Sequence, residues 1–259
     1  MDRCFVGIAA YNAAPRLDRC LAELAQTNGE LHVCVFNDGS TDATDAIARA
    51  RSCEVIGPSS RVGVVTARRS LMDRAVETDC DWFCFIDSDV YATDHDWLSQ
   101  FIATYRDGIT GGKLLLPDGR LWGAGGKWQP NPSAPRGIEA SVRGMNQPDG
   151  PEWDVSCQVP HTTTAVAFMA MDLLRRGLRV DDSGGNLRSC DDTDLCMSVQ
   201  FEYGEHCWYE PVPFIHDAFS HRTHAPEFLR QVHAEQQTGN EWFWRKWGDR
   251  ILERWGTVG

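Results

Sequence analysis

The feature that most limits the fold of this chain is an alternation, through residues 1–90, of short apolar runs with polar-punctuated stretches of helical period. Residues 4–10, 31–36 and 82–86 predict strands, and 53–56 predicts a weaker one. Between them, Leu17, Leu21, Leu24 and Ala25 recur at helical spacing within 16–26, and the segments 41–50 and 63–77 follow a helical pattern. Such alternation is the signature of parallel βαβ units. Ligands in open α/β sheets bind at the carboxyl ends of strands, and the 82–86 run stops abruptly at Asp87-Ser88-Asp89.

From Ile109 the periodicity breaks into short, glycine-punctuated strands of hairpin character. Residues 128–154 are rich in Pro, Gly, Asn and Ser and predict a mobile loop, of the length that usually serves a function. Apolar character returns over 155–171. An amphipathic helix is expected over 195–201, a strand over 213–215, and a C-terminal helix over 240–255 that carries Trp244, Trp247, Ile251 and Trp255. The expected organisation is one unit over 1–259, with a first half (1–90), a second half (91–220) and a C-terminal helical segment (221–259).

Composition narrows the partners. Lys and Arg number 25 against 37 Asp and Glu, a net charge of −12 that opposes binding to nucleic-acid phosphates and suits a protein that gathers cations. The ten cysteines are diluted through 259 residues, and Cys4, Cys34 and Cys84 sit in apolar runs as small buried hydrophobes. With no secretory h-region and no apolar run near the roughly 18 residues of a membrane span, a reduced, cytoplasmic setting is expected, with at most peripheral membrane contact.

Three acidic groups carry the chemistry. Asp38 ends a strand before a tight turn, where Thr41 or Asp42 can cap a helix, or Asp38 itself can accept the imide N–H of a uracil-like base. Asp87 and Asp89, two apart on an extended segment, would face one site and hold Mn²⁺ or Mg²⁺, hard cations that take oxygen ligands from one or two carboxylates. Asp191, Asp192 and Asp194 would favour a helix N-terminus, and like-charged neighbours would raise one carboxyl toward the pKa of a general base. Arg68 and Arg69 lie on one predicted helix, where a guanidinium suits phosphate. Gly111-Gly112 and Gly123–Gly126 admit either close approach of a sugar ring or hairpin turns.

The segments Ala10-Tyr11-Asn12, NDGSTDAT at 37–44 and FIDSDV at 85–90 resemble, in order and spacing, family 2 glycosyltransferases of the GT-A fold. Ser189-Cys190-Asp191-Asp192-Thr193-Asp194-Leu195 is similar to that family's acidic Glu-Asp motif, with Asp191 in place of the Glu, and Phe214-Ile215-His216 to its following strand and histidine. The resemblance covers residues 4 to about 220. It implies a Rossmann-like, mostly parallel sheet and inverting transfer from a UDP-, GDP- or dTDP-sugar to an acceptor hydroxyl. The fold does not choose the acceptor, of which a glycan or lipid-linked glycan is favoured over a small metabolite or peptide and a nucleic acid ranks last. The implied donor residues are Ala10, Tyr11, Asn12, Asp38, Arg68, Asp87 and Ser88, with Lys246-Trp247 closing over the diphosphate. Asp89 and Asp87 would hold the metal, with His216 as third ligand and His221 or His224 as competitors for that place. Asp192 would be the base, Asp191 its acidic neighbour toward the acceptor, and Trp122 and His161 would line the acceptor cleft, where Trp128 could also stack. A nucleotidyltransferase, or a binding module that kept the fold without the chemistry, are the alternatives.

Overall fold

A computed structural model describes residues 2–134, 136–183, 190–218 and 226–256. Its first part follows the expected alternation: β1 (Arg3–Ala10), α1 (Ala14–Leu24), β2 (Glu30–Asn37), α2 (Thr44–Ala50), β3 (Glu54–Ile56), α3 (Val64–Ala75) and β4 (Trp82–Ile86). The strands β3, β2, β1 and β4 lie side by side and parallel. Then come β5 (Val90–Ala92), α4 (Trp97–Thr104), β6 (Ile109–Leu115), β7 (Leu121–Gly123), β8 (Gly126–Pro130), β9 (Ile138–Val142), β10 (Cys157–Val159), β11 (Val166–Ala170), α5 (Met171–Arg175), α6 (Asp191–Phe201), β12 (Cys207–His216) and α7 (Pro226–Trp255). β11 runs antiparallel between β4 and β6, and β12 runs parallel to β6, giving the order β10-β12-β6-β11-β4-β1-β2-β3. One mixed sheet therefore carries both the strands of the βαβ part and those that follow it.

Alternation along β1 divides the core. Phe5 joins Leu71 and Met72 of α3, whereas Cys4, Val6 and Ile8 join Leu17 and Leu21 of α1 on the opposite face. Because both faces are covered, the strands read as continuous apolar runs, which is why the sequence exposes them. The chain winds outward from β1 through β2 to β3, then returns to the other side of β1 at β4. That reversal opens a crevice beyond Ala10 and Ile86, where an open α/β sheet binds its ligand.

The crevice is framed by loops that fix one another. Asn12, at φ 48°, accepts the backbone N–H of Thr41 on Oδ1 (2.8 Å), and its own N–H donates to Ser40 Oγ (3.0 Å). The carboxylate of Asp38 accepts the backbone N–H groups of Val62 (2.6 Å) and Gly63 (2.9 Å), so the turn after β2 holds the start of α3. The N-cap of α2 is Ala43, not Thr41 or Asp42 as expected, because the helix begins three residues later than the pattern predicts; Asp42, one residue before the cap, accepts the N–H of Thr44 at 3.0 Å.

Several expectations need correction. Residues 128–154 are not one loop: β8 and β9 pair as an antiparallel hairpin whose Trp128 and Ile138 are buried, and a short 3-10 turn spans Pro151–Trp153. Asn131, Pro132, Gly137, Gly144, Asn146 and Pro148, which suggested disorder, sit between these elements. α6 starts at Asp191 and is buried nearly all round, not amphipathic, because β12 and α7 cover it. α7 begins at Pro226, well before the expected 240. The glycines of the 109–126 stretch make room for protein: a Cβ on Gly111 would sit 1.8 Å from Thr162 Oγ1, and one on Gly126 2.2 Å from the His161 ring. All ten cysteines are free thiols, and Cys4, Cys34 and Cys84 are buried as expected.

Gly39 is held at φ 67°, and a Cβ there would lie 2.6 Å from the backbone N of Arg61. Gly39→Ala is expected to cost about 1–3 kcal/mol, read as a lower urea midpoint at unchanged slope, because strain and backbone contact add.

Candidate active site

The crevice at the switch between β1 and β4 forms a cavity of about 210 Å³ lined by Ala10, Tyr11, Asp38, Arg61, Arg68 and Asp87-Ser88-Asp89. Four structural units converge there: the end of β1, the turn after β2, the first turn of α3 and the turn after β4. The Arg61 guanidinium lies 4.7 Å over the Tyr11 ring, and Tyr11 is among the few exposed large aromatic side chains. The N-terminus of α3 faces the cavity through Val64, Ala67 and Arg68 and presents the positive end of its helix dipole.

Asp87-Ser88-Asp89 forms a turn closed by Val90 N–H donating to Asp87 O at 3.0 Å. The extended-segment geometry expected from the sequence is therefore wrong, yet both carboxylates still reach one place because the turn curls around it. The turn is clamped from both sides: Asp87 N–H donates to Ala165 O (3.1 Å) and Asp217 N–H to Asp89 O (2.9 Å). His216, the last residue of β12, consequently stands beside it, with Nε2 3.7 Å from Asp89 Oδ1. One ligand atom each from Asp87, Asp89 and His216 lies within 4.8 Å of the others, an oxygen and nitrogen set that fits one divalent cation. Burial and the neighbouring Asp87 charge push the Asp89 carboxyl above its ordinary range, the signature of a pair that a cation would relieve. Arg16 Nη1 meets the other Asp89 oxygen at 3.2 Å. His221 and His224 lie outside the described residues.

A second cavity, of about 330 Å³, adjoins the first, sharing Val64, Arg68 and Asp87 and adding Trp122, Thr163, Thr164, Asp191, Asp192 and His216. Arg68 sits at the junction, 8% exposed, with one Nη on Asp87 (3.0 Å) and the other on Asp191. Asp192 faces this cavity; burial first, and then the Asp191 charge, pushes its carboxyl up to about 7, with Arg68 working against them. Trp122 lies tilted against the His216 ring, centroids 4.5 Å apart, so the two rings brace each other.

Other predicted residues stand elsewhere. Asn12 ties loops together and does not line either cavity. His161 is buried against Trp128 and held near the Lys127 carbonyl (3.2 Å), and burial lowers its pKa to about 4; its neighbours Thr163 and Thr164 face the cavity in its place. Lys246 and Trp247 both bond Asp194 (2.8 and 2.6 Å), Lys246 also reaching Asp181 (2.7 Å), which fastens α7 to α6 away from both cavities. Arg69 pairs with Asp182 at 2.9 Å. Arg16 and Arg61 were missed by sequence reading, since nothing local to either marks it as facing a carboxylate or an aromatic ring across the fold.

This fold, with acidic groups at the switch point of its sheet, is that of a GT-A glycosyltransferase. Residues 5–148, more than half of the chain, match the family model described as Glycosyl transferase family 2, and the chain belongs to that family. No curated protein sequence matches it. Among solved structures it is similar to S. aureus TarS, at 16% identity and TM-score 0.57 over 90% of this chain and 38% of that one. It thus spans well under half the length of full TarS. It is also similar to the mannosyltransferase PcManGT from Pyrobaculum calidifontis in complex with GDP-Man and Mn²⁺ (15%, TM-score 0.58, 99% of this chain and 76% of that one). A TarS 1–349 structure in complex with UDP-GlcNAc matches at 15% and 0.58, over 98% and 73%. Likeness at this identity establishes the fold.

Removing one partner of a buried ion pair strands the other, at a cost of about 3–5 kcal/mol. Arg68→Met is expected to lose stability on that scale in urea unfolding at pH 7, and the Arg68→Met, Asp191→Asn double variant to lose less than the sum of the two singles.

Proposed function

We propose that the chain transfers a sugar, with inversion, from a nucleoside-diphosphate sugar in the first cavity to an acceptor hydroxyl in the second. The observation that carries this is the junction: the carboxylates able to hold a cation and the carboxyl raised toward neutrality line adjoining cavities that share Arg68 and Asp87. Asp38 keeps lone pairs for a base imide N–H beside the two loop amides it already accepts. Tyr11 and Arg61 frame the base, and Ala10 and Ser88 border the nucleoside. Arg68 and the α3 N-terminus face the diphosphate. Asp87, Asp89 and His216 would hold Mn²⁺ or Mg²⁺, which would stabilise the departing nucleoside diphosphate. Solved structures of similar fold contain GDP-Man with Mn²⁺, or UDP-GlcNAc, which supports a nucleotide-sugar donor.

Asp192 takes the proton of the attacking hydroxyl. A single base and a charge-stabilised leaving group suit in-line displacement, which inverts the anomeric carbon. Asp191, committed to Arg68, acts chiefly through its charge on Asp192 and borders the acceptor with Trp122. The free cysteines fit a reducing, cytoplasmic setting, and among the described residues no helix is long and apolar enough to cross a membrane.

The deciding experiment is release of nucleoside diphosphate from UDP-, GDP- and dTDP-sugars with Mn²⁺, with and without chelator. One donor should be hydrolysed only with metal, and Asp89→Ala should abolish that dependence; release from none, with no metal-dependent thermal shift by nucleotides, would sink the proposal. Once an acceptor is in hand, Asp192→Asn should lower kcat by about 10²–10⁴-fold at little cost in donor affinity. The base acts ionised, so kcat/KM should fall as pH drops through about 7, the value to which the Asp192 carboxyl is raised, and a profile flat from pH 5 to 8 would exclude it as the base.

A further inference from the structure

We propose that the cleft between the β8–β9 hairpin and α7 binds neutral sugar residues of an oligosaccharide acceptor, beyond the unit whose hydroxyl meets Asp192. The proposal rests on the transferase reading and names its acceptor class. At about 430 Å³ the cleft exceeds either cavity of the active site. Its aromatic wall is Trp128, Phe243 and Trp244, all buried, with Trp128 5.9 Å from Trp244 and 6.4 Å from Phe243 between ring centroids. These rings brace one another and need no ligand to hold their faces in place. The polar wall is also fixed: Glu139 accepts Asn131 Nδ2 at 2.6 Å and Gln129 Nε2 at 2.7 Å across the hairpin.

The charge of the lining selects the ligand. Among the described residues Glu139 is its one charged side chain and none that lines it is Lys or Arg, so a phosphate, sulfate or uronate would meet repulsion there. A neutral pyranose offers what the walls match: an apolar C–H face for the apolar part of the lining and hydroxyls for the amide and carboxylate groups. Position links the cleft to catalysis. Thr193 lines it, whereas Asp191 and Asp192 line the acceptor cavity, so the first turn of α6 separates the two.

Ala134 and Ala140 line the cleft from the hairpin, and Ala134→Trp and Ala140→Trp each place bulk in it. Calorimetry of the full chain would use tetrasaccharides of glucose, xylose, mannose and N-acetylglucosamine, with oligogalacturonate and a short DNA strand as anionic probes. At least one neutral tetrasaccharide should bind, and each substitution should weaken it by about tenfold or more. Binding by none of the neutral sugars, binding by the anionic probes instead, or neutral binding unmoved by both substitutions overturns the proposal. Metal-dependent donor hydrolysis on the same samples separates the failures. Hydrolysis without neutral-sugar binding refutes the cleft alone; sugar binding without hydrolysis of any donor refutes the transferase reading.

Discussion

The guanidinium of Arg68 lies buried between Asp87 and Asp191, and the cleft is organised around that placement. Four carboxylates, Asp87, Asp89, Asp191 and Asp192, converge from two separate stretches of chain. Gathered in a partly dehydrated crevice they would repel, and the side chain of Arg68, held by α3, offsets part of that repulsion before any cation binds. The placement is a consequence of packing. On the same helix Val65, Ala67, Leu71 and Met72 are embedded in the core, and the N-terminus is tied by Gly63 N–H to Asp38. Apolar burial thus sets the rotation and height of α3, and rotation and height set where the charge goes.

The division of Asp191 and Asp192 follows from the same contact. Both belong to the first turn of α6, where the helix dipole favours negative charge. Asp191 is paired with Arg68; Asp192, buried and with the Asp191 carboxylate beside it, is pushed toward neutrality. Two adjacent carboxyls with different environments can take different roles, one electrostatic and one protolytic. The buried flank of α6, bonded to α7 through Asp194, Lys246 and Trp247, keeps that first turn from rotating.

What the sequence disclosed follows the range of the forces involved. The strand over 82–86 was legible to the residue, because burial on both faces writes an apolar run, and Asp87 and Asp89 stood out because charge follows it at once. The pairing of these with His216 was implied by family likeness, not by anything near His216 in the chain. Where interactions cross the fold, local pattern misled. The hairpin of β8 and β9 hides two buried side chains among turn residues, and α6 shows no amphipathic stripe because it has no solvent face to mark. His161 looked like an acceptor ligand by its place in a polar run, but the space left by Gly126 draws it into the interior. Lys246 and Trp247 looked like a closing element, but the carboxylate they meet is Asp194.

The family match ends at residue 148, whereas Asp192 and His216 lie beyond it, so the geometry that joins them to the earlier motifs carries separate weight. It arises from backbone pairing. β11 adds to β4 in antiparallel register and ends the Asp87 side of the turn through Ala165, while β12 pairs with β5 and holds the Asp89 side through Asp217. A turn bonded on both flanks cannot shift without unpairing a strand, and the buried peptide groups involved have no water to replace those bonds. The carboxylates of Asp87 and Asp89 are therefore as fixed as the sheet itself. The proposed acceptor side is built differently, from a hairpin, a helix turn and a long C-terminal helix held by side chains, a construction in which acceptor choice could change while the proposed donor site stays in place.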